Sequence, residues 1–238
     1  SFNGSIQVFV SDDLHTPPLR AKKFRKERFE RLEGWKGYTE DMNLIIQARA
    51  EVGQDPELVD ALHEANVKMI YLGVESASAE NLLAVGKRQE PGQMDLDLRY
   101  LTKEGFNVVA MTIIGLPFDT EESIMRMADW LMQAEGGKPL VSKYQTANLL
   151  TPLPATSNWD SLIPLNENGD LLVEGAMRPY HLYTGRQFVH QDRRWGMQES
   201  QELFDEYMGR LKPVDRLYEL GFKEMTRALK EPSERMAV

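Results

Sequence analysis

Val67-Lys-Met-Ile-Tyr-Leu-Gly-Val-Glu-Ser76 holds an apolar run, Met69 to Val74, that stops abruptly on a carboxylate and a hydroxyl. A run without polar alternation suits a strand buried on both faces, as in a parallel sheet covered by helices. Polar groups just past the C-terminal end of such a strand stand where parallel α/β folds build their sites. The neighbouring sequence repeats this plan.

Upstream, residues 5–10 read as a strand followed by Ser11-Asp-Asp13, residues 20–33 as a helix, and residues 43–48 as a second strand ending on Arg49 and Glu51. Asp55-Pro-Glu57 is a helix start, with an N-cap, proline at the first helical position and an acid in the first turn. Downstream, helices are expected over 78–85 and from Met94 to Leu101, with Gly86 and Gly105 as their stops. Residues 107–114 form a fourth strand, ending at Gly115-Leu-Pro117. Thr120-Glu-Glu-Ser123 opens a helix stopped by Gly136-Gly137, and a fifth strand lies within 140–150, before Thr151. Strand centres recur roughly every 25 to 40 residues, the βαβ rhythm of a parallel sheet. No G-x-G-x-x-G or Walker loop follows any strand. A complete eight-stranded barrel needs about 250 residues, and five strands are legible. The fold expected is an incomplete, TIM-like (β/α) barrel over residues 1–165. Residues 166–238 are expected to form an irregular segment and a helical C-terminal extension, with helices at 198–211 and 214–229.

Composition narrows the function classes. The 238 residues carry a net charge of −9, with 42% hydrophobic and 27% charged residues, which argues against general nucleic-acid affinity. The longest apolar run, Val108 to Leu116, is too short to span a bilayer, no signal or lipidation motif is visible, and a cytoplasmic protein is expected. There are no cysteines, which excludes disulfides, thiolate metal sites and cysteine nucleophiles from this chain. The start at Ser1 without a methionine is compatible with an excised piece of a longer protein.

The strand ends carry Asp12/Asp13, Arg49/Glu51, Glu75/Ser76, Gly115 and Thr151; in register they would share one mouth. Asp12, Asp13 and His15 could hold a divalent metal, although a helix cap explains the same residues. His181, His190 and Asp192 match no ligand spacing, and His63 reads as structural. Arg20, Lys22, Lys23, Arg25, Lys26, Arg28 and Arg31, interleaved with glutamates, read as a solvated helix face. Arg186, Arg193, Arg194 and Trp195 suggest a substrate-facing lid, because guanidinium groups pair bidentately with carboxylates.

Val8-Phe-Val-Ser-Asp-Asp13, Gln47-Ala-Arg-Ala-Glu51, Tyr71-Leu-Gly-Val-Glu-Ser76, Gly86-Lys-Arg-Gln89, Thr112-Ile-Ile-Gly-Leu-Pro117 and Thr151-Pro-Leu-Pro154 occur in an order that resembles the radical SAM enzymes, especially the branch with an N-terminal cobalamin-binding domain. The resemblance implies a partial (β/α)6 barrel, of which this chain would supply the second to sixth strands. It also implies a [4Fe-4S] cluster held by a C-x-x-x-C-x-x-C loop. That cluster cleaves S-adenosylmethionine reductively to a 5′-deoxyadenosyl radical, and some members add cobalamin. By the same resemblance, Asp12 and Asp13 would meet the cofactor's amino group, and Arg49, Glu75, Ser76 and Arg88 its carboxylate or ribose. Ile113, Gly115, Leu150 and Thr151 would line its adenine.

The departure is the cluster loop, which has no counterpart here. The expectation is therefore the C-terminal portion of such an enzyme, inactive alone, acting on an unidentified small-molecule substrate. Its cluster and cobalamin would be bound by an upstream segment and domain of the same protein. The competing readings are an ordinary TIM-like lyase or aldolase using Arg49 and Glu75, and a non-catalytic binding module.

Overall fold

The computed structural model describes residues 6–10, 22–36, 39, 42–135, 138–141, 145–150, 194–196 and 198–211. Strands β1 (Ile6–Val10), β2 (Met42–Ala48), β3 (Val67–Glu75) and β4 (Asn107–Ile114) lie side by side in chain order. A short hairpin, β5 (Ala134–Glu135) with β6 (Lys138–Pro139), precedes β7 (Gln145–Leu149), which pairs with β4. All four pairings in the five-stranded sheet are parallel. Every strand therefore delivers its C-terminal end to the same edge, and the curled sheet is a half-barrel, a partial TIM-like α/β fold.

Helices α1 (Lys22–Trp35), α2 (Pro56–Glu64), α3 (Ala79–Ala84), α4 (Pro91–Lys103) and α5 (Glu121–Leu131) occupy the crossovers, and a 3-10 turn covers Ala50–Gln54. Their boundaries follow local chemistry. The Asp55 carboxylate accepts from the N–H of Leu58 with Pro56 at the first turn, and the Ser78 hydroxyl accepts from the N–H of Asn81. Thr120 and Ser123 form a reciprocal capping box at the start of α5. Gly86 and Gly105, at φ +74° and +94°, end α3 and α4 in the left-handed region that glycine enters without a steric cost.

One face of the sheet packs under the helices. Leu44, Ile46, Ala48, Ile70, Leu72, Val74, Val108, Ala110, Ile114, Ala147 and Leu149 share a buried core with Leu58, Leu62, Leu98, Leu101, Ile124 and Leu131. A sixth helix, α6 (residues 198–211), joins that core through Leu203, Phe204, Tyr207 and Leu211. The buried Tyr207 hydroxyl lies 3.1 Å from Thr112 Oγ1, tying α6 to β4. Successive strand residues alternate faces, so Phe9, Ile45, Gln47, Met69, Tyr71, Gly73, Val109, Met111 and Ile113 belong to the other face. Phe9 and Tyr71 meet edge to face at 5.6 Å although β2 separates their strands. Side chains two strands apart touch in this way when the sheet curls toward them, so this is the concave face.

The helix expected over 20–33 lies at Lys22–Trp35, and the β5–β6 hairpin was not expected. The helix expected over 214–229 lies outside the described residues. Among the described residues no helix is long and apolar enough to cross a membrane.

Candidate functional site

Two clusters occupy the edge where the strands end. The first surrounds a cavity of about 590 Å³ between the 3-10 turn after β2 and the start of α4, lined by Arg49, Glu51, Arg88, Gln89, Gln93 and Asp97 among others. The Arg49 guanidinium grips Glu51 through Nε (3.1 and 3.0 Å) and one terminal nitrogen (2.7 Å). Gln89 donates its amide N–H to the same carboxylate at 2.8 Å. Burial works against charge on Glu51, but the hydrogen bonds from Arg49, its own backbone and Gln89 outweigh it and hold its carboxyl below the usual range.

A carboxylate only accepts, so the amide nitrogen of Gln89 must face Glu51. The amide oxygen then faces elsewhere, and it is buried without a hydrogen-bond partner on a side chain only 7% exposed. Arg88 is exposed and forms no ion pair with any described residue. The N-cap of α4, Glu90, makes no side-chain cap, which leaves the helix's first N–H groups open toward the same rim. On the cavity floor the buried Asp97 accepts from Gln54 (2.7 Å) and Gln93 (2.8 Å). Burial pushes its carboxyl up, helped by the nearby Glu51 charge and opposed by the two amides.

The second cluster stands at the ends of β3 and β4. Pairing of β3 with β4 skips Val74, a bulge that re-aims Glu75, and Glu75 itself sits at φ +59°. Its carboxylate binds Lys87 Nζ at 2.5 Å. The buried Ser76 hydroxyl accepts from the N–H of Ser78 and lies 3.5 Å from the amide nitrogen of Asn81. Asn81, fully buried, donates to Asp119 at 2.6 Å and accepts from the N–H of Phe118. Asp119 also accepts from the N–H groups of Gly115 and Leu116, both at 2.9 Å, shaping the turn after β4 with Gly115 at φ +95°. Arg194 closes that turn from outside, donating to the carbonyls of Leu116, Pro117 and Asp119 at 2.7 to 3.1 Å. Its guanidinium rests over the Trp195 ring at 4.4 Å.

Burial pushes the Asp119 carboxyl up from 3.8 to about 6, against the hydrogen bonds from Leu116 and Gly115, the Arg194 charge and the Asn81 amide. The folded value is the higher one, so the contribution to stability is complete below 3.8 and is lost as pH rises through about 6. Melting temperatures measured across that window should show wild type losing ground to Asp119→Asn as pH rises. A constant difference would contradict this titration.

Arg49 and Arg88 thus share one cavity, Glu75 and Ser76 stand at the neighbouring strand end, and Ile113, Gly115 and Leu150 lie along the β4–β7 margin. The Leu150 N–H donates to the Ile114 carbonyl there at 2.7 Å. Arg194 and Trp195 engage the β4 turn. Asp12, Asp13, Thr151, Arg186 and Arg193 lie outside the described residues, as do His15, His181, His190 and Asp192. Sequence reading did not assign roles to Gln89, Asp97, Lys87 or Asp119. Within Gly86-Lys-Arg-Gln89 only Arg88 carries an expected role; the separation in sequence of Lys87 from Glu75 and of Gln89 from Glu51 hides the other contacts.

The family model described as the radical SAM superfamily matches residues 8–131. A hopanoid C-2 methylase of Rhodopseudomonas palustris is 30% identical over 161 residues, covering 67% of this chain and 28% of the methylase. Coproporphyrinogen III oxidase (HemN) of Escherichia coli, a radical SAM enzyme, superposes with a TM-score of 0.52 at 15% identity, covering 81% of this chain and 38% of that one. The cobalamin-dependent S-adenosylmethionine radical enzyme OxsB, with aqua-cobalamin bound, superposes with a TM-score of 0.50 at 17% identity, covering 70% and 30%. At such identities the structural likeness speaks for the fold. This chain spans less than a third of the methylase's length.

Proposed function

Because the chain belongs to the radical SAM superfamily, we propose that it is the part of a radical enzyme that holds the methionine and ribose of S-adenosylmethionine. The observation that carries the reading is the cavity beside β2. Its orphaned, buried Gln89 oxygen calls for a hydrogen-bond donor, and its exposed Arg88 and open α4 N-terminus call for an anion. An amino acid's ammonium and carboxylate supply that pair of groups. The residues present therefore fit the methionine end of the cofactor: Arg88 and the α4 N–H groups would orient the carboxylate, and Gln89 with Glu51 the ammonium. Glu75, at the next strand end, would accept from the ribose, and Ile113, Gly115 and Leu150 would flank the adenine.

In this superfamily S-adenosylmethionine, when bound and reduced, supplies the radical that starts the reaction. The residues above would hold it still and set its sulfonium toward the concave face. A [4Fe-4S] cluster does not fit this chain: thiolates are its usual protein ligands, and the sequence has no cysteine. In this reading the cluster's ligands come from outside these 238 residues. Cobalamin, if the enzyme uses it as OxsB does, is carried there too, and the methylase relative favours methylation as the overall outcome. Family membership leaves no ground for the aldolase reading.

The test uses the full-length enzyme with its cluster reconstituted anaerobically. Added S-adenosylmethionine should bind stoichiometrically and, with a reductant, yield 5′-deoxyadenosine. Absence of both binding and nucleoside release would overturn the proposal.

A further inference from the structure

Lys87 comes from the connection between α3 and α4, on the helix side of the sheet, yet its ammonium ends on the concave side. Gly73 alternates with Leu72 and Val74, which face the helix-covered core, so any side chain at 73 would point into the half-barrel. A Cβ built there would meet Lys87 Nζ at 2.6 Å and Glu75 Oε1 at 3.0 Å. The ammonium therefore fills the space that a side chain at 73 would take. It donates to the Gly73 carbonyl at 3.1 Å and to Glu75 Oε1 at 2.5 Å. Both partners are largely buried, at 21% and 18% exposure, which makes this ion pair less screened than one on the surface.

Three features thus converge on one carboxylate: the bulge at Val74, the left-handed backbone of Glu75, and a cation reaching across the strand. A glutamate placed in the left-handed region costs backbone energy that the surrounding contacts must offset. With Oε1 held by Lys87, Oε2 is the oxygen free to accept from a ligand.

We propose that Lys87 is a positioning residue for the cofactor's ribose, locking Glu75 so that its second oxygen accepts from a ribose hydroxyl, and that residue 73 is glycine to leave room for the ammonium. This rests on the reading that Glu75 meets S-adenosylmethionine. It assigns the lysine no contact with the cofactor, only control of the carboxylate that makes one.

The test is equilibrium binding to the full-length, cluster-loaded enzyme of S-adenosylmethionine and of its 2′,3′-dideoxy analogue, which lacks both ribose hydroxyls. Lys87→Met and Gly73→Ala should each weaken S-adenosylmethionine by about tenfold, the size of one hydrogen bond to a charged group. Neither should change affinity for the analogue. Gly73→Ala matters because it displaces the lysine while leaving Lys87 and Glu75 in the sequence. In a Glu75→Ala background, Lys87→Met should add no further loss. Equal losses for both ligands, or losses that add, would show Lys87 acting on the fold generally and overturn the proposal. If Glu75→Ala weakens binding while Lys87→Met binds as wild type, this inference alone fails. If Glu75→Ala binds as wild type, the ribose role of Glu75 falls and the inference falls with it.

Discussion

Asp119→Ala should lower the unfolding free energy by about 4 kcal/mol, because each buried donor left without an acceptor costs about 1–3 kcal/mol. Asp119 accepts from the N–H groups of Gly115 and Leu116 and from the Asn81 amide, and it is only 4% exposed. Alanine would strand all three in a site that admits little water. The damage should spread, since Asn81 also holds the N–H of Phe118 and since Arg194 reads the carbonyls of the same turn. Asp119→Asn keeps the size and one accepting oxygen, but it sets one amide nitrogen against that of Asn81 and should fall between alanine and wild type. Urea denaturation of the three proteins at one pH checks the order. A loss below about 1 kcal/mol for the alanine variant, the net worth of a single ordinary hydrogen bond, would mean the network is dispensable.

The elements that carry this turn were legible in the sequence; the turn's inner bonding was not. Residues 107–114 read as a strand because an apolar run stops at Gly115, and that is where β4 ends. Thr120 read as a helix start because hydroxyl caps and acids in a first turn are local chemistry, and the capping box is there. Local rules of this kind also placed β1, β2, β3 and β7 and helices α2, α3 and α6. Asp119 is different. Beside a threonine cap it looks like one more turn acid, and only the fold brings Asn81 to it from 38 positions away.

The candidate site divides along the same line. Glu75 and Ser76 could be singled out because they end a buried run. Ser76, however, turns inward to its own loop, whereas Glu75 is re-aimed by a bulge that no periodicity announces. In the sequence Gln89 is only the tail of the Gly86-Lys-Arg-Gln89 motif. Its weight comes from Glu51, 38 residues earlier, which occupies its nitrogen and leaves its oxygen over. Arg194 read as a lid residue because arginine beside tryptophan suggests a ligand. In the structure backbone carbonyls occupy its guanidinium.

Arg88→Ala should reduce the affinity of the full-length enzyme for S-adenosylmethionine by about 30- to 100-fold, with little change in stability. The stability half follows from exposure: Arg88 forms no ion pair with a described residue, and exposed side chains of that kind contribute within about 0.5 kcal/mol. The affinity half follows from geometry. A guanidinium can meet a carboxylate through two parallel hydrogen bonds, charge-assisted contacts about twice as strong as neutral ones. Arg49 lines the same cavity but offers no second fork, because its Nε and one terminal nitrogen are spent on Glu51 and only the other terminal nitrogen is left for a ligand. Arg88→Lys is the sharper control: it keeps the charge and loses the fork, so it should recover only part of the affinity. S-adenosylmethioninamide, in which a neutral amide replaces the carboxylate, gives the decisive comparison. Wild type should bind it about as weakly as Arg88→Ala binds the natural cofactor, and the substitution should then cost little more. If alanine at 88 weakened both ligands alike, the cavity would be shaping the loop around the cofactor rather than reading its carboxylate.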